Sequence, residues 1–160
     1  MASAVLRRGT CLRRNYGAVI VKDDMIVATG YSGAPTGSPN CIDHSVCPRE
    51  EAGIPSGQRY ELCKSIHAEE NAIIPTSRKD LDGSILYLSG VNAKTGKTIE
   101  AEPCIKCKRY IIQARIEKVV MKTSGYEFEE YWVSETVNEV VDLQQKTMDE
   151  FKPRKVDDIK

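Results

Sequence analysis

Between Gly17 and Met121 the chain alternates short apolar runs with helix-length segments, and this alternation limits the fold more than any other feature of the sequence. Gly17-Ala-Val-Ile-Val21 is apolar and β-branched, Lys22-Asp-Asp24 has turn chemistry, and Met25-Ile-Val-Ala-Thr29 is a second run. Together they predict an antiparallel hairpin. Residues 61–74 predict a helix ended by Pro75, with Ile66, Ala72, Ile73 and Ile74 on its apolar face. Residues 84–88 and 118–121 predict buried strands. Between them Pro103 opens a helix reaching Ala114, with Ile105, Ile111, Ile112 and Ala114 turned to the core. Residues 91–98 read as an exposed excursion with a small hairpin around Thr95-Gly96. Strands alternating with helices make an α/β layered domain. The length of 160 residues suits one such unit, taken as 1–151, with a charged tail at 152–160 that is expected to fray. Residues 129–145 fit one helix, and equally fit a helix to about Val137 followed by a strand at 140–143.

Between Gly30 and Gly57 the chain turns rich in Gly, Pro and Ser. Irregular segments beyond ~12–15 residues are usually functional or disordered, and this one holds three cysteines, which predicts a loop pinned by something. Six cysteines with short spacings read better as metal ligands or reactive thiols than as disulfides in a reducing compartment. The N-terminus has no apolar core of a signal peptide and no run approaches the ~20 apolar residues of a membrane span, so a cytoplasmic protein is expected.

Cys104 and Cys107 stand at i and i+3 on the first turn of the helix behind Pro103, so their sulfurs share a face. A helix N-terminus favours thiolates. His67 opens the other helix and Glu69 follows two residues later. A catalytic zinc takes three protein ligands and keeps a fourth position for water. His67, Cys104 and Cys107 supply such a set, and Glu69 is placed to take a proton from water there and pass it to a substrate. Read singly, the cysteines fit a redox dithiol or half a structural site, the histidine a structural role, and Glu69-Glu70 a solvated helix face. Read jointly, His67-Ala-Glu69 and Pro103-Cys-Ile-Lys-Cys107 match the H-x-E…P-C-x-x-C pattern of zinc-dependent deaminases.

Four motifs together resemble the deoxycytidylate (dCMP) deaminase family of the cytidine deaminase superfamily: Thr10-Cys-Leu-Arg-Arg14 with Gly17-Ala-Val-Ile-Val21, Thr29-Gly-Tyr-Ser-Gly-Ala-Pro-Thr-Gly37, His67-Ala-Glu-Glu-Asn-Ala-Ile73, and Pro103-Cys-Ile-Lys-Cys107. The resemblance implies a three-layer α/β/α fold around a central five-stranded mixed sheet. It implies hydrolysis of dCMP to dUMP and ammonia with zinc, in a homo-oligomer, commonly a hexamer, regulated by dCTP and dTTP. It places the sugar and phosphate on the loop with Ser32 and Gly33, where the family commonly has Asn at the position of Ser32. Tyr126 is a candidate wall of the base pocket. The first helix is shorter than in the family. Some members resemble this chain in carrying a second zinc near the equivalents of Cys11 and Cys41. Cys11, Cys41, Cys47 and Cys63 bracket the long loop and are read as a four-cysteine structural zinc site, with His44 as substitute ligand; the alternative is that they are buried as small apolar residues.

Lys plus Arg equals Asp plus Glu, at 23 each. Duplex and tRNA binders usually carry a basic excess, so this balance argues against nucleic acid. The local clusters Arg7, Arg8, Arg13, Arg14 and Lys106, Lys108, Arg109 are read as contacts to a nucleotide phosphate or a neighbouring subunit. The rival functions are a deaminase of another cytosine nucleoside, nucleotide or RNA base, and a non-catalytic zinc-stabilised binding module.

Overall fold

The computed structural model describes residues 1–55, 58–125 and 127–150. The chain runs α1 (Ala2–Val5), a 3₁₀ turn (Leu6–Arg8), β1 (Arg14–Lys22), β2 (Met25–Tyr31), α2 (Cys41–His44), α3 (Pro48–Glu51), a second 3₁₀ turn (Tyr60–Leu62), α4 (Ala68–Ile73), α5 (Arg78–Leu81), β3 (Ile85–Asn92), β4 (Thr98–Ile99), α6 (Ile105–Gln113), β5 (Lys118–Lys122), β6 (Phe128–Trp132) and α7 (Val133–Glu150). Tyr126 and the tail at 152–160 fall outside the described residues. Among those described, no helix is long and apolar enough to cross a membrane.

The expected five-stranded mixed sheet is present, in the order β2-β1-β3-β5-β6, with the two-residue β4 added against β3. Only β3 and β5 run parallel, because α6 carries the chain across between them. The hairpin forms where predicted. Asp23 and Asp24 take φ of 49° and 60°, the positive pair that a two-residue turn between twisted strands requires.

Register assigns the two faces. Ala18 pairs with Leu88 and Ile20 with Leu86, and β5 continues the rows with Val119 and Met121. This face is buried under Ala68, Ala72 and Ile73 of α4, Leu81 of α5 and Ile111 of α6. Among the described residues, the opposite face is met by α1 and the turn after it. Two glycines set how closely the layers approach. A Cβ on Gly30 would lie 2.1 Å from the Ala68 carbonyl oxygen, and one on Gly17 2.4 Å from that of Ala2. Each residue lets a helix rest directly on the sheet, from opposite sides.

Three expectations need correction. The helix expected from residue 61 begins only at Ala68, because residues 63–67 are extended and Ile66 pairs with Gly33. The C-terminal segment is neither of the two alternatives: β6 comes first, antiparallel to β5, and one helix follows. The reason is β5's free edge, which recruits 128–132 into the ladder whatever their helical pattern. Ile74 and Ile105, expected in the core, are 68% and 38% exposed.

Candidate metal centre

Register also gathers one end of the sheet. Arg14 at the start of β1 pairs with Asn92 at the end of β3, and Gly17 pairs with Tyr31 at the end of β2. The segments leaving β2 and entering α6 therefore meet there. His67 is extended (φ −71°, ψ 154°) and is the N-cap of α4; its N–H donates to Glu70 Oε2 at 3.2 Å. Cys104 is likewise the extended N-cap of α6, directly behind Pro103, and Cys107 lies in the first turn. Each helix thus begins at a side chain able to ligate a metal.

His67 Nδ1 lies 3.6 Å from Cys104 Sγ and 3.4 Å from Cys107 Sγ. Tetrahedral zinc with Zn–N of ~2.0–2.1 Å and Zn–S of ~2.3 Å holds nitrogen and sulfur about 3.6 Å apart. Both nitrogen–sulfur distances are close to that spacing, and among the described residues this set alone brings three His, Cys, Asp or Glu donors within 4.8 Å of one another. The neighbouring Cys107 thiol holds Cys104 down at about 3, and the same interaction with burial pushes Cys107 up. Burial works against charging His67, but the hydrogen bond with Cys104 and the charges of Glu69 and Cys104 together outweigh it and raise its pKa.

Glu69 is buried, 6% exposed. Burial raises its pKa, opposed by the neighbouring His67. Glu70, also buried, bonds Lys106 Nζ at 3.0 Å, tying the start of α4 to the first turn of α6. Tyr60 stands edge-on to His67, with ring centroids 4.7 Å apart.

Two adjoining cavities make up the cleft. One, of about 250 Å³, is walled by Arg14, Tyr16, Tyr60, Glu69 and Glu102 around His67 and Cys104. The other, of about 110 Å³, shares Arg14, Tyr16, Tyr60 and His67 and adds Arg13, Arg49 and Lys64. One end thus carries the metal donors and carboxylates, the other a group of cations.

Residues 1–123 match the model of the cytidine and deoxycytidylate deaminase zinc-binding region. The chain belongs to this family. The deoxycytidylate deaminase of Mycobacterium phage D29 is 38% identical over 125 residues, covering 75% of this chain and 87% of the phage protein. That of Schizosaccharomyces pombe is 34% identical over 125 residues, covering 78% of this chain and 35% of its own. The chain therefore spans about a third of the fission-yeast relative's length. A crystal structure of dCMP deaminase from the cyanophage S-TIM5 in complex with dCMP and dUMP aligns over 82% of this chain and 74% of that one, at 27% identity and a TM-score of 0.47.

Within this family frame the remaining sequence candidates fall as follows. Ser32 is buried in the cleft wall, where its Oγ accepts the Tyr16 N–H at 3.0 Å. Gly33 is engaged through its backbone, which exchanges two hydrogen bonds with Ile66. Cys11, Cys41, Cys47 and Cys63 all face the smaller cavity, and burial, with the neighbouring thiols adding, pushes Cys41 up to about 11. No three of these sulfurs lie within 4.8 Å of one another, and His44 turns instead to Lys64 Nζ at 2.9 Å. The long loop is held by other means. Thr10 Oγ1 donates to Asn40 Oδ1 at 2.9 Å, and the buried Arg49 donates to the Pro55 and Gln58 carbonyls while stacking 4.8 Å over Tyr60. Of the basic clusters, Arg13 and Arg14 reach the cleft, whereas Lys108 is buried between carboxylates and so is not a surface contact. Tyr60, Arg49 and Glu102 had no signal in the sequence, since nothing in their neighbourhoods has ligand or catalytic spacing.

Proposed function

We propose that this chain hydrolyses dCMP to dUMP and ammonia. The observation that carries the reading is the polarity of the cleft, with metal donors and the buried Glu69 at one end, Arg13, Arg49 and Lys64 at the other, and Arg14 bordering both. A cytosine base with a 5′-phosphate has the matching polarity, and the names of the phage and yeast relatives point to the same substrate. Zinc held by His67, Cys104 and Cys107 would supply the polarisation that makes water a nucleophile near neutral pH. Glu69 moves the protons. It takes one from the attacking water and passes it to N3 of the base as the C4–O bond forms, then takes the second from the new C4 hydroxyl and delivers it to the amine as the C4–N bond breaks. The Ser32 hydroxyl, anchored by Tyr16, has a proton left to donate to the sugar. The assay that tests the reading compares turnover of dCMP, deoxycytidine, cytidine and a tRNA stem-loop by zinc-loaded protein, with dCMP expected to lead. If the stem-loop leads, the chain is an RNA editor; if none reacts, the site is structural.

Arg14 borders both cavities, so Arg14→Gln is expected to raise KM for dCMP about tenfold, the loss of one hydrogen bond to a charged group, and to leave that for deoxycytidine unchanged. Equal effects on both substrates would remove Arg14 from phosphate binding.

The four cysteines on the smaller cavity are proposed as a second, structural zinc site that closes when the metal binds, its binding energy becoming folding energy. Metal analysis is expected to return about two zinc ions per chain, falling to about one in Cys41→Ser. One ion in a fully active protein removes the second site. The proposal extends to a homo-oligomer, for which the exposed Ile74, Tyr110, Val137 and Val141 offer apolar helix surface, and to dCTP and dTTP as effectors. Sedimentation and assays with each nucleotide test these.

A further inference from the structure

Tyr60 lies against the metal donors, yet the reaction as proposed gives it no task. Its ring stands edge-on to His67, with centroids 4.7 Å apart and an interplanar angle of 78°, and its side chain hydrogen-bonds with Cys104. It therefore meets two of the three donors, one at the start of α4 and one at the start of α6. A phenol ordinarily keeps its proton far above neutral pH, so towards a thiolate it can only donate.

Tyr60 is itself held by charge. The Arg49 guanidinium stacks 4.8 Å over its ring, and Lys106 Nζ lies 5.6 Å from the ring centroid. Cations at the face of an aromatic ring draw on its electron density, which strengthens the hydroxyl as a donor. Both cations are fixed in turn. Arg49 is 6% exposed and donates to the Pro55 and Gln58 carbonyls, and Lys106 bonds Glu70 at 3.0 Å. The chain enters Tyr60 through Arg59, whose φ of 52° is one that residues with a Cβ seldom take. Such a conformation persists only where its surroundings impose it.

Two thiolates on one zinc push negative charge onto the metal and weaken its power to polarise water. A hydrogen bond to one of the sulfurs draws part of that charge back and fixes the sulfur's direction.

We infer that Tyr60 is a positioning residue of the metal centre, its hydroxyl donating to Cys104 Sγ while its ring edge seats His67, and that Arg49 holds it there from the long loop. The loop thus reaches the catalytic metal through one stacked pair. The inference concerns the metal and not the identity of the substrate.

The test uses the full chain loaded with cobalt in place of zinc, whose thiolate-to-metal charge-transfer band reports the charge on the sulfurs. Tyr60→Phe keeps the ring, with its contacts to His67 and Arg49, and removes only the hydroxyl. In the difference spectrum against the unaltered protein, where any metal at the four other cysteines cancels, the band is expected to move to lower energy. One zinc ion per chain is also expected to pass to a competing chelator at about tenfold lower chelator concentration, the usual cost of losing a group that supports a ligand. Arg49→Lys loses the stack and the paired carbonyl bonds but leaves the hydroxyl, so its band should move the same way by less. An unmoved band in Tyr60→Phe overturns the inference, even if zinc is held more weakly, and leaves Tyr60 as packing against His67. If Tyr60→Phe does not fold, the band in Arg49→Lys decides in the same way. Neither readout needs a substrate, so absent dCMP turnover would overturn the deamination reading and leave this one standing.

Discussion

Replacing Glu69 by Gln is expected to lower dCMP turnover by about 10²–10⁴-fold, the range for loss of a positioned general acid–base, with zinc content unchanged. The side chain is buried beside His67 but is not one of the three donors that meet at metal distance. The amide has nearly the same volume, so α4 and the metal donors should stay in place. What it lacks is a proton that can leave and return. In the carboxylate, burial raises the pKa and the neighbouring His67 opposes that rise. KM should change much less than kcat, because the loss falls on the proton transfers. Metal analysis with steady-state kinetics on one preparation decides it. Retained turnover would give proton transfer to another group, and loss of zinc would make Glu69 a structural support of the metal.

Gly30→Ala is expected to destabilise the protein by about 1–3 kcal/mol, the usual cost of overpacking, and to reduce turnover even in the folded fraction. The added Cβ would lie 2.1 Å from the Ala68 carbonyl oxygen and 2.5 Å from the Ala72 N–H nitrogen. Both are backbone atoms, so no rotamer change relieves the clash and α4 must lift from the sheet. Ala68 stands between His67 and Glu69, so lifting it moves a metal donor and the proton carrier together. Gly17→Ala makes a comparable clash with the Ala2 carbonyl on the opposite face, but there the displaced helix is α1, which carries no site residue. Its expected effect is on stability, with a smaller one on turnover. Urea unfolding and turnover at low temperature separate the two. An unchanged unfolding midpoint in Gly30→Ala would show that the close approach of α4 is not needed.

The sequence by itself determined the features that depend on neighbours a few residues away. Asp23-Asp24 between two apolar runs made a hairpin, Pro75 ended a helix, and His67-Ala-Glu69 with Pro103-Cys-Ile-Lys-Cys107 picked out the donors that the fold brings within 3.6 Å. Spacing of this kind is chemistry written locally. Tertiary structure decided whatever depended on a distant partner. Residues 63–67 are extended because Ile66 finds Gly33, more than thirty positions earlier, and 128–132 form a strand because β5 offers an open edge. Lys108 reads as one more surface cation until Glu139, thirty-one residues later, closes over it. The polarity of the cleft is likewise absent from any window, since Arg14, Arg49, Lys64, Glu69 and Glu102 come from five separate segments. A side chain's charge is fixed by its type, but what that charge faces is set by sheet register and helix docking, which sum many weak contacts over the whole chain.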